Sequence, residues 1–415
     1  MYSLRRVPYT IYLPGAQDLE DILSPELRFQ GYDPLYRFMG SEIDGYGFKR
    51  PDDFDYETYE EFMKHYLSVL ARRAKKWEIV IKGSQKVTKS RKMKRYIRKG
   101  IPSEHRGTVW MMVSGALKLK KKNPGLYQHL LDAPKDPDIV EVINIDLHRT
   151  FPDNIHFSND AQYSKQTALS NVLVAFAHHW PEVGYYKVTL FSDLHRTFPD
   201  NIHFSNDAQY SKRTALSNVL VAFAHHRPEV GYCQGLNFIV ALMLLVLQDE
   251  ENCFFLLLQL TTNILPDYYV PHMSGLKTDQ EVLGELIKEK CPDVARHMEK
   301  EQVPWSIPTT KWFICLFLDV LPVETVLRIW DCLFYEGSKI LFRVCLSLIK
   351  RNETEIIRAT NISALVDVFK KVTTASANID CHTFLEGVFQ SSQPLKRGTI
   401  EKLRYLCRQR VEQGP

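Results

Sequence analysis

Three short segments combine residue types and spacings that can do chemistry. In Arg106-Gly-Thr-Val-Trp110 an arginine stands four residues before a tryptophan. In Asp146-Leu-His-Arg149, and again in Asp193-Leu-His-Arg196, an aspartate stands three residues before an arginine. Tyr232-Cys-Gln234-Gly235-Leu-Asn237 sets a glutamine against a glycine. A guanidinium is a planar, permanently charged fork that can hold two oxygens together. A neutral carboxamide both accepts and donates hydrogen bonds. Each segment alone also has a plain structural reading. The arginine can cover the tryptophan as a packing device, the Asp–Arg pair can be a local ion pair, and the Gln-Gly can be a turn.

The elements that must hold these residues read as helices. Val323, Val326, Leu327, Trp330, Leu333 and Phe334 lie on one helical face, with Pro322 suited to the first helical position, Glu324 to the positive helix end and Gly337 to the stop. Ala168, Leu169, Val172, Leu173 and Phe176 repeat that spacing, and the ten residues from Phe238 to Leu247 are apolar on every side, as in a helix buried within a large domain. The chain divides into a charged region over 1–99, an all-α domain over 100–345 and a smaller helical tail over 346–415. Residues 387–399 read as a loop within that tail.

The 415 residues are 45% apolar and 25% charged, a globular composition, and the net charge of +4 excludes a polyelectrolyte. No apolar run reaches the ~18 residues of a membrane span, and MYSLRRVPYT lacks a signal core. The eight cysteines form no C-x-x-C pair, so a reduced cytoplasmic protein without structural zinc is expected. Charge is nonetheless patchy. Residues 72–99 carry thirteen Lys or Arg against one acid, Glu78. That run reads as a solvated helix face or linker, with attraction to an anionic membrane surface or an acidic partner as the sharper alternative. It lacks the interleaved aromatics of a nucleic-acid platform, so no nucleic-acid partner is expected.

A repeat complicates the picture. Residues 146–185 recur as 193–232, offset by 47, with 38 of 40 positions identical; only Gln166 against Arg213 and Trp180 against Arg227 differ. Two near-identical copies do not make a solenoid, which needs about three or more diverged units. The repeat also doubles the pairs His178-His179 and His225-His226, which therefore give little support to a metal site.

Taken together and in order, the three segments resemble the signatures R-x-x-x-W, I-x-x-D-x-x-R and Y-x-Q-G-x-N of the TBC-domain family of Rab GTPase-activating proteins. The resemblance extends to Ile43–Phe48, Leu265–Tyr269, Gly275–Asp279 and Leu321–Gly337. It implies an all-α fold of two helical lobes acting on a GTP-bound Rab-family GTPase in vesicle trafficking. The protein is expected in the cytoplasm, with peripheral contact to endomembranes, and without a cofactor or metal. It would be a GTPase activator rather than an enzyme with its own turnover. The family's arginine finger maps to Arg196 or Arg149, each with an aspartate (Asp193, Asp146) to hold the guanidinium, and its glutamine finger maps to Gln234. Arg106 and Trp110 are implied as supports, Tyr232 and Asn237 as loop-shaping residues, and Gly235 as a point of close approach to the partner.

The copies are not equivalent. After Tyr185 the first copy places Lys187 where the second places Gln234, and protonated lysine cannot accept a hydrogen bond. Arg196 stands 38 residues from Gln234 and Arg149 stands 85. The second copy is therefore expected to be the packed one, running directly into the apolar helix, with the first as an insertion. The other outcomes are a docked first copy with a bulge at about 186–232, or a Rab-binding scaffold whose fingers the duplication displaces.

Overall fold

The computed structural model describes Asp44, Tyr46, Phe48 and Arg50, then residues 54–83, 89–132, 212–227, 230, 233, 235–318, 320–374, 378–390 and 395–413. Among them every regular element is a helix, as the apolar spacing requires. The order is α1 (Tyr56–Gly83), α2 (Arg91–Lys99), α3 (Ser103–Ser114), α4 (Ala116–Lys122), α5 (Leu126–Asp132), α6 (Lys212–His226), α7 (Leu236–Leu247) and α8 (Glu250–Gln259). A π-helical turn (Leu260–Ile264) leads to α9 (Ser274–Lys290), α10 (Pro292–Lys300), α11 (Ser306–Ile314), α12 (Val323–Glu336) and α13 (Lys339–Arg351). The described chain closes with α14 (Glu353–Arg358), α15 (Ile362–Thr374), α16 (Cys381–Gln390) and α17 (Arg397–Gln413). No described helix is long and apolar enough to cross a membrane.

The helices pack in two groups. In the first, α6, α7 and α8 pack against one another and against α3, α4 and α5; in the second, α12 packs on α2, α13 and α16, while α9 packs on α10, α11, α13 and α17. The contact of α3 with α12 joins the groups. Buried apolar residues run continuously from Tyr46 to Cys407, so α1, α2 and α17 share the core that lies between 100 and 345. On α1 the stripe Met63, Tyr66, Leu70 and Trp77 faces inward, and Trp77 Nε1 donates to the Gly100 carbonyl at 3.0 Å.

Three local expectations are met or sharpened. α7 is enclosed on all sides, with Ile239 to Met243 wholly buried. Gly337 ends α12 at φ 84°, its N–H bonded to the Leu333 carbonyl, and Pro322 sits just before the helix rather than in it. α12, however, is not one-faced: Thr325, Arg328 and Asp331 are as buried as Val326 and Trp330, because α2, α3, α13 and α16 surround it. Of the loop expected over 387–399, 387–390 belong to α16 and 397–399 to α17, while 391–394 lie outside the described residues.

Candidate functional site

Arg106 and Trp110 converge on α12. The Arg106 Nε donates to Asp331 Oδ1 at 3.1 Å, Nη1 to the Tyr46 hydroxyl at 2.6 Å, and Nη2 to Glu324 Oε1 at 3.0 Å. Trp110 Nε1 donates to the same Asp331 Oδ1 at 2.8 Å, and the Ile101 N–H donates to Oδ2 at 3.3 Å. The tryptophan ring packs 4.9 Å from Phe334 and 5.9 Å from Trp330. Arg106 is only 2% exposed. Burial opposes its charge, but Asp331 and Glu324 outweigh that and hold its pKa above the ordinary arginine value. A guanidinium so occupied joins α3 to α12 and has no free fork to offer a phosphate.

The glutamine motif sits at the entrance to α7. Gly235 has φ 94°, the left-handed conformation that favours glycine, and a Cβ there would stand 3.4 Å from the Ile314 carbonyl oxygen and 3.5 Å from Cys315 Sγ. Gly235 is buried, so the need for glycine arises inside the chain and not from an approaching partner. Asn237 is fully buried in the first turn of α7. The remaining candidates, Arg149, Asp146, Arg196, Asp193, Tyr232 and Gln234, lie outside the described residues, as does the stretch Ala168 to Phe176.

The second copy contributes α6. Its Leu216, Val219, Leu220 and Phe223, the equivalents of Leu169, Val172, Leu173 and Phe176, are all 1% exposed or less. Just past the helix, Arg227 Nη1 donates to Thr262 Oγ1 of the π-helical turn at 2.6 Å. Arg227 is one of the two positions that distinguish the copies, and Trp180 of the first copy has no such fork to offer. Val230, Cys233 and Gly235 continue, buried, from this helix into α7. A groove of roughly 360 Å3 opens at the end of α6, lined by Leu119, Asn123, Leu126, His226, Arg227, Leu258, Thr262 and Asn263.

Several polar residues important to this arrangement carry no sequence signal of their own. Tyr46, within the Ile43–Phe48 segment, is held by Asp44, whose Oδ1 accepts from the N–H groups of Tyr46 (2.8 Å) and Phe48 (2.9 Å). Burial pushes the Asp44 carboxyl up to about 6, against the pull of those backbone donors. Asp279 is 1% exposed and binds Arg404 of α17 through Nε and Nη2, both at 2.6 Å, while also accepting from the Tyr268 hydroxyl. Among the described residues no cluster of His, Cys, Asp or Glu has the makings of a metal site.

The Rab-GTPase-TBC domain model matches residues 103–191 and 187–357, and the chain belongs to that family. The two matches overlap only at 187–191, in the stretch between the two copies. Growth hormone-regulated TBC protein 1-A of Danio rerio is 47% identical over 375 residues, covering 90% of this chain and 92% of that protein. Growth hormone-regulated TBC protein 1 of Homo sapiens is 44% identical over 378 residues, covering 91% and 98%. The crystal structure of the Chlamydomonas flagellar RabGAP TBC domain is similar with a TM-score of 0.61 and 28% identity, covering 84% of this chain and 99% of that one.

Proposed function

We propose that this protein accelerates GTP hydrolysis by a GTP-bound Rab-family GTPase, supplying Arg196 as an arginine finger and Gln234 as a glutamine finger. Family membership supports the activity, as does the name of a relative, GTPase-activating protein GYP3 of Saccharomyces cerevisiae, 31% identical and covering 76% of this chain and 51% of that protein. The observation that carries the assignment of fingers is the burial of α6. The helix that the second copy contributes is buried beside α7 and α8, and the sequence runs from it directly into the Gly235 turn.

The chemistry follows from the charge that develops in phosphoryl transfer. Negative charge spreads over the transferring group, and the attacking water must stand in line with the leaving oxygen. Arg196, held by Asp193, stabilises that charge in a site closed to water; an arginine finger contributes about 10³–10⁵ in rate. The Gln234 carboxamide accepts a hydrogen bond from the water and donates to a phosphate oxygen. The protein completes another protein's active site and has no turnover of its own. Peripheral contact with an anionic endomembrane belongs to the same reading.

The break of the family match between the copies favours a second reading, a Rab-binding scaffold whose fingers are misplaced. Deleting 146–192 in frame decides between them. It joins Ile145 to Asp193 and leaves one arginine motif with Ile143 at its head. Across a panel of GTP-loaded Rabs, the activator reading expects phosphate release to be stimulated by the full chain and retained or raised in the deletion variant. Binding of a GTP-loaded Rab without faster release, in the full chain, would establish the scaffold.

A further inference from the structure

Among the described residues of 72–99, most of the bases lie on the outward sides of α1 and α2. On α1, Arg72, Lys75, Lys76 and Ile79 are exposed at spacings of three and four, opposite the buried Arg73 and Trp77. They form one outward stripe. On α2, Arg91, Lys92 and Arg95 are exposed, while Met93 and Ile97 are buried. Arg98 and Lys94, on the flank, bind Glu336 of α12 at 2.5 and 3.1 Å. The two helices are tied together by Trp77, which bonds to Gly100 and lies 6.1 Å from the Tyr96 ring. Lys92 Nζ stands 5.8 Å over that same tyrosine. Both helices thus carry exposed bases. Across 72–99 the one acid is Glu78, and Lys82 binds it at 2.5 Å.

Ile79 distinguishes this surface from an ordinary solvated face. It is 73% exposed, more than any other large apolar side chain among the described residues. A phosphate backbone has no apolar surface to cover an isoleucine among lysines. A bilayer serves both parts of this face, because the bases attract anionic headgroups while the apolar side chain enters the headgroup boundary.

We infer that the exposed basic faces of α1 and α2 dock on an anionic lipid leaflet, with Ile79 as the apolar anchor. This deepens the membrane contact in the proposed function and rests on that part of it, but it does not depend on the fingers. The bases hold the surface by long-range attraction, which salt weakens. They lie on helices fixed to the core through Trp77, Ile97 and the Glu336 ion pairs, so the bound protein would be oriented and not merely tethered.

Flotation of the full chain with phosphatidylcholine vesicles, with and without phosphatidylserine, tests this. Binding is expected only with phosphatidylserine and should fall as salt rises. Lys76→Glu, Arg91→Glu and Arg95→Glu together should weaken it by at least about tenfold, since each basic residue near such a surface adds appreciable attraction. Ile79→Asn should weaken it by several-fold at unchanged charge. Lys118→Glu, Lys121→Glu and Lys122→Glu together, on exposed α4 positions, match that change in net charge and should have little effect. Circular dichroism melting confirms that each variant folds, and GTP hydrolysis by a soluble Rab, measured without vesicles, reads the activator function separately. Equal binding to neutral vesicles, or equal loss in the α4 control, would overturn the assignment. So would insensitivity to Ile79→Asn combined with retention on polyglutamate, which would give the face to an acidic protein.

Discussion

Two arginines join distant helices of this protein, Arg106 buried and Arg404 half-buried. Arg106 joins α3 to α12 with its side chain 2% exposed, facing Asp331 at 0% and Glu324 at 17%. Arg404 joins α17 to α9 with its side chain 29% exposed, facing Asp279 at 1%. The first lies wholly inside the protein; the second can still reach water. Burial, more than the number of hydrogen bonds, decides what each is worth, because a buried charge left without its partner has no solvent to turn to. A finger must meet a phosphate in another protein, so an arginine as enclosed as Arg106 is unsuited to that role.

The comparison is broken most severely at Asp331. Asp331→Ala removes the acceptor of the Arg106 Nε, the Trp110 N–H and the Ile101 N–H, leaving Arg106 with Glu324 and Tyr46, and should cost about 3–5 kcal/mol in urea unfolding. Arg106→Met combined with Asp331→Leu should recover part of that loss, since no unpaired charge then remains between them. Asp279→Asn should cost less, about 1.5–3 kcal/mol, because Arg404 can turn outward. Equal costs at the two sites would show that burial does not govern the difference.

A third ion pair sharpens the comparison through pH. Glu336, 3% exposed, receives Arg98, Lys94 and Lys339. Burial opposes its ionisation, but the Arg98 hydrogen bonds and Lys339 prevail and hold its pKa at about 2, below the ordinary 4.5. A lowered folded pKa means the contribution is fully present above about 4.5 and is lost as pH falls from there through 2. In urea unfolding across pH, Glu336→Gln should flatten the dependence of stability on pH in that window. Between pH 7 and 8 the variant should be less stable by a constant amount, with the slope there unchanged.

Much of this is legible in the amino-acid order. The Arg106–Trp110 spacing, the apolar run of α7 and the stop at Gly337 are local, and local signals survive in sequence. Asp331 stands within a segment that carries the family resemblance, yet nothing marks it as the acceptor for Arg106, 225 residues away. The Asp279–Arg404 and Arg98–Glu336 pairs span 125 and 238 residues, and no spacing rule reaches so far. In sequence α12 looks one-faced, because its buried Thr325, Arg328 and Asp331 pass for solvated residues until their partners arrive from other helices. Gly235 suggests a partner's approach, whereas the left-handed turn against Ile314 and Cys315 already requires it. The duplication leaves two arginine motifs open. The burial of α6 and the Arg227–Thr262 bond favour the second.

Single-turnover GTP hydrolysis by a responsive Rab, stimulated in turn by the Arg196→Ala and Arg149→Ala variants, bears most directly on that choice. Arg196→Ala should abolish stimulation, a loss on the order of 10³–10⁵, while Arg149→Ala should keep most of it. The reverse pattern would mean that the first copy presents the finger, and would contradict the assignment of Arg196.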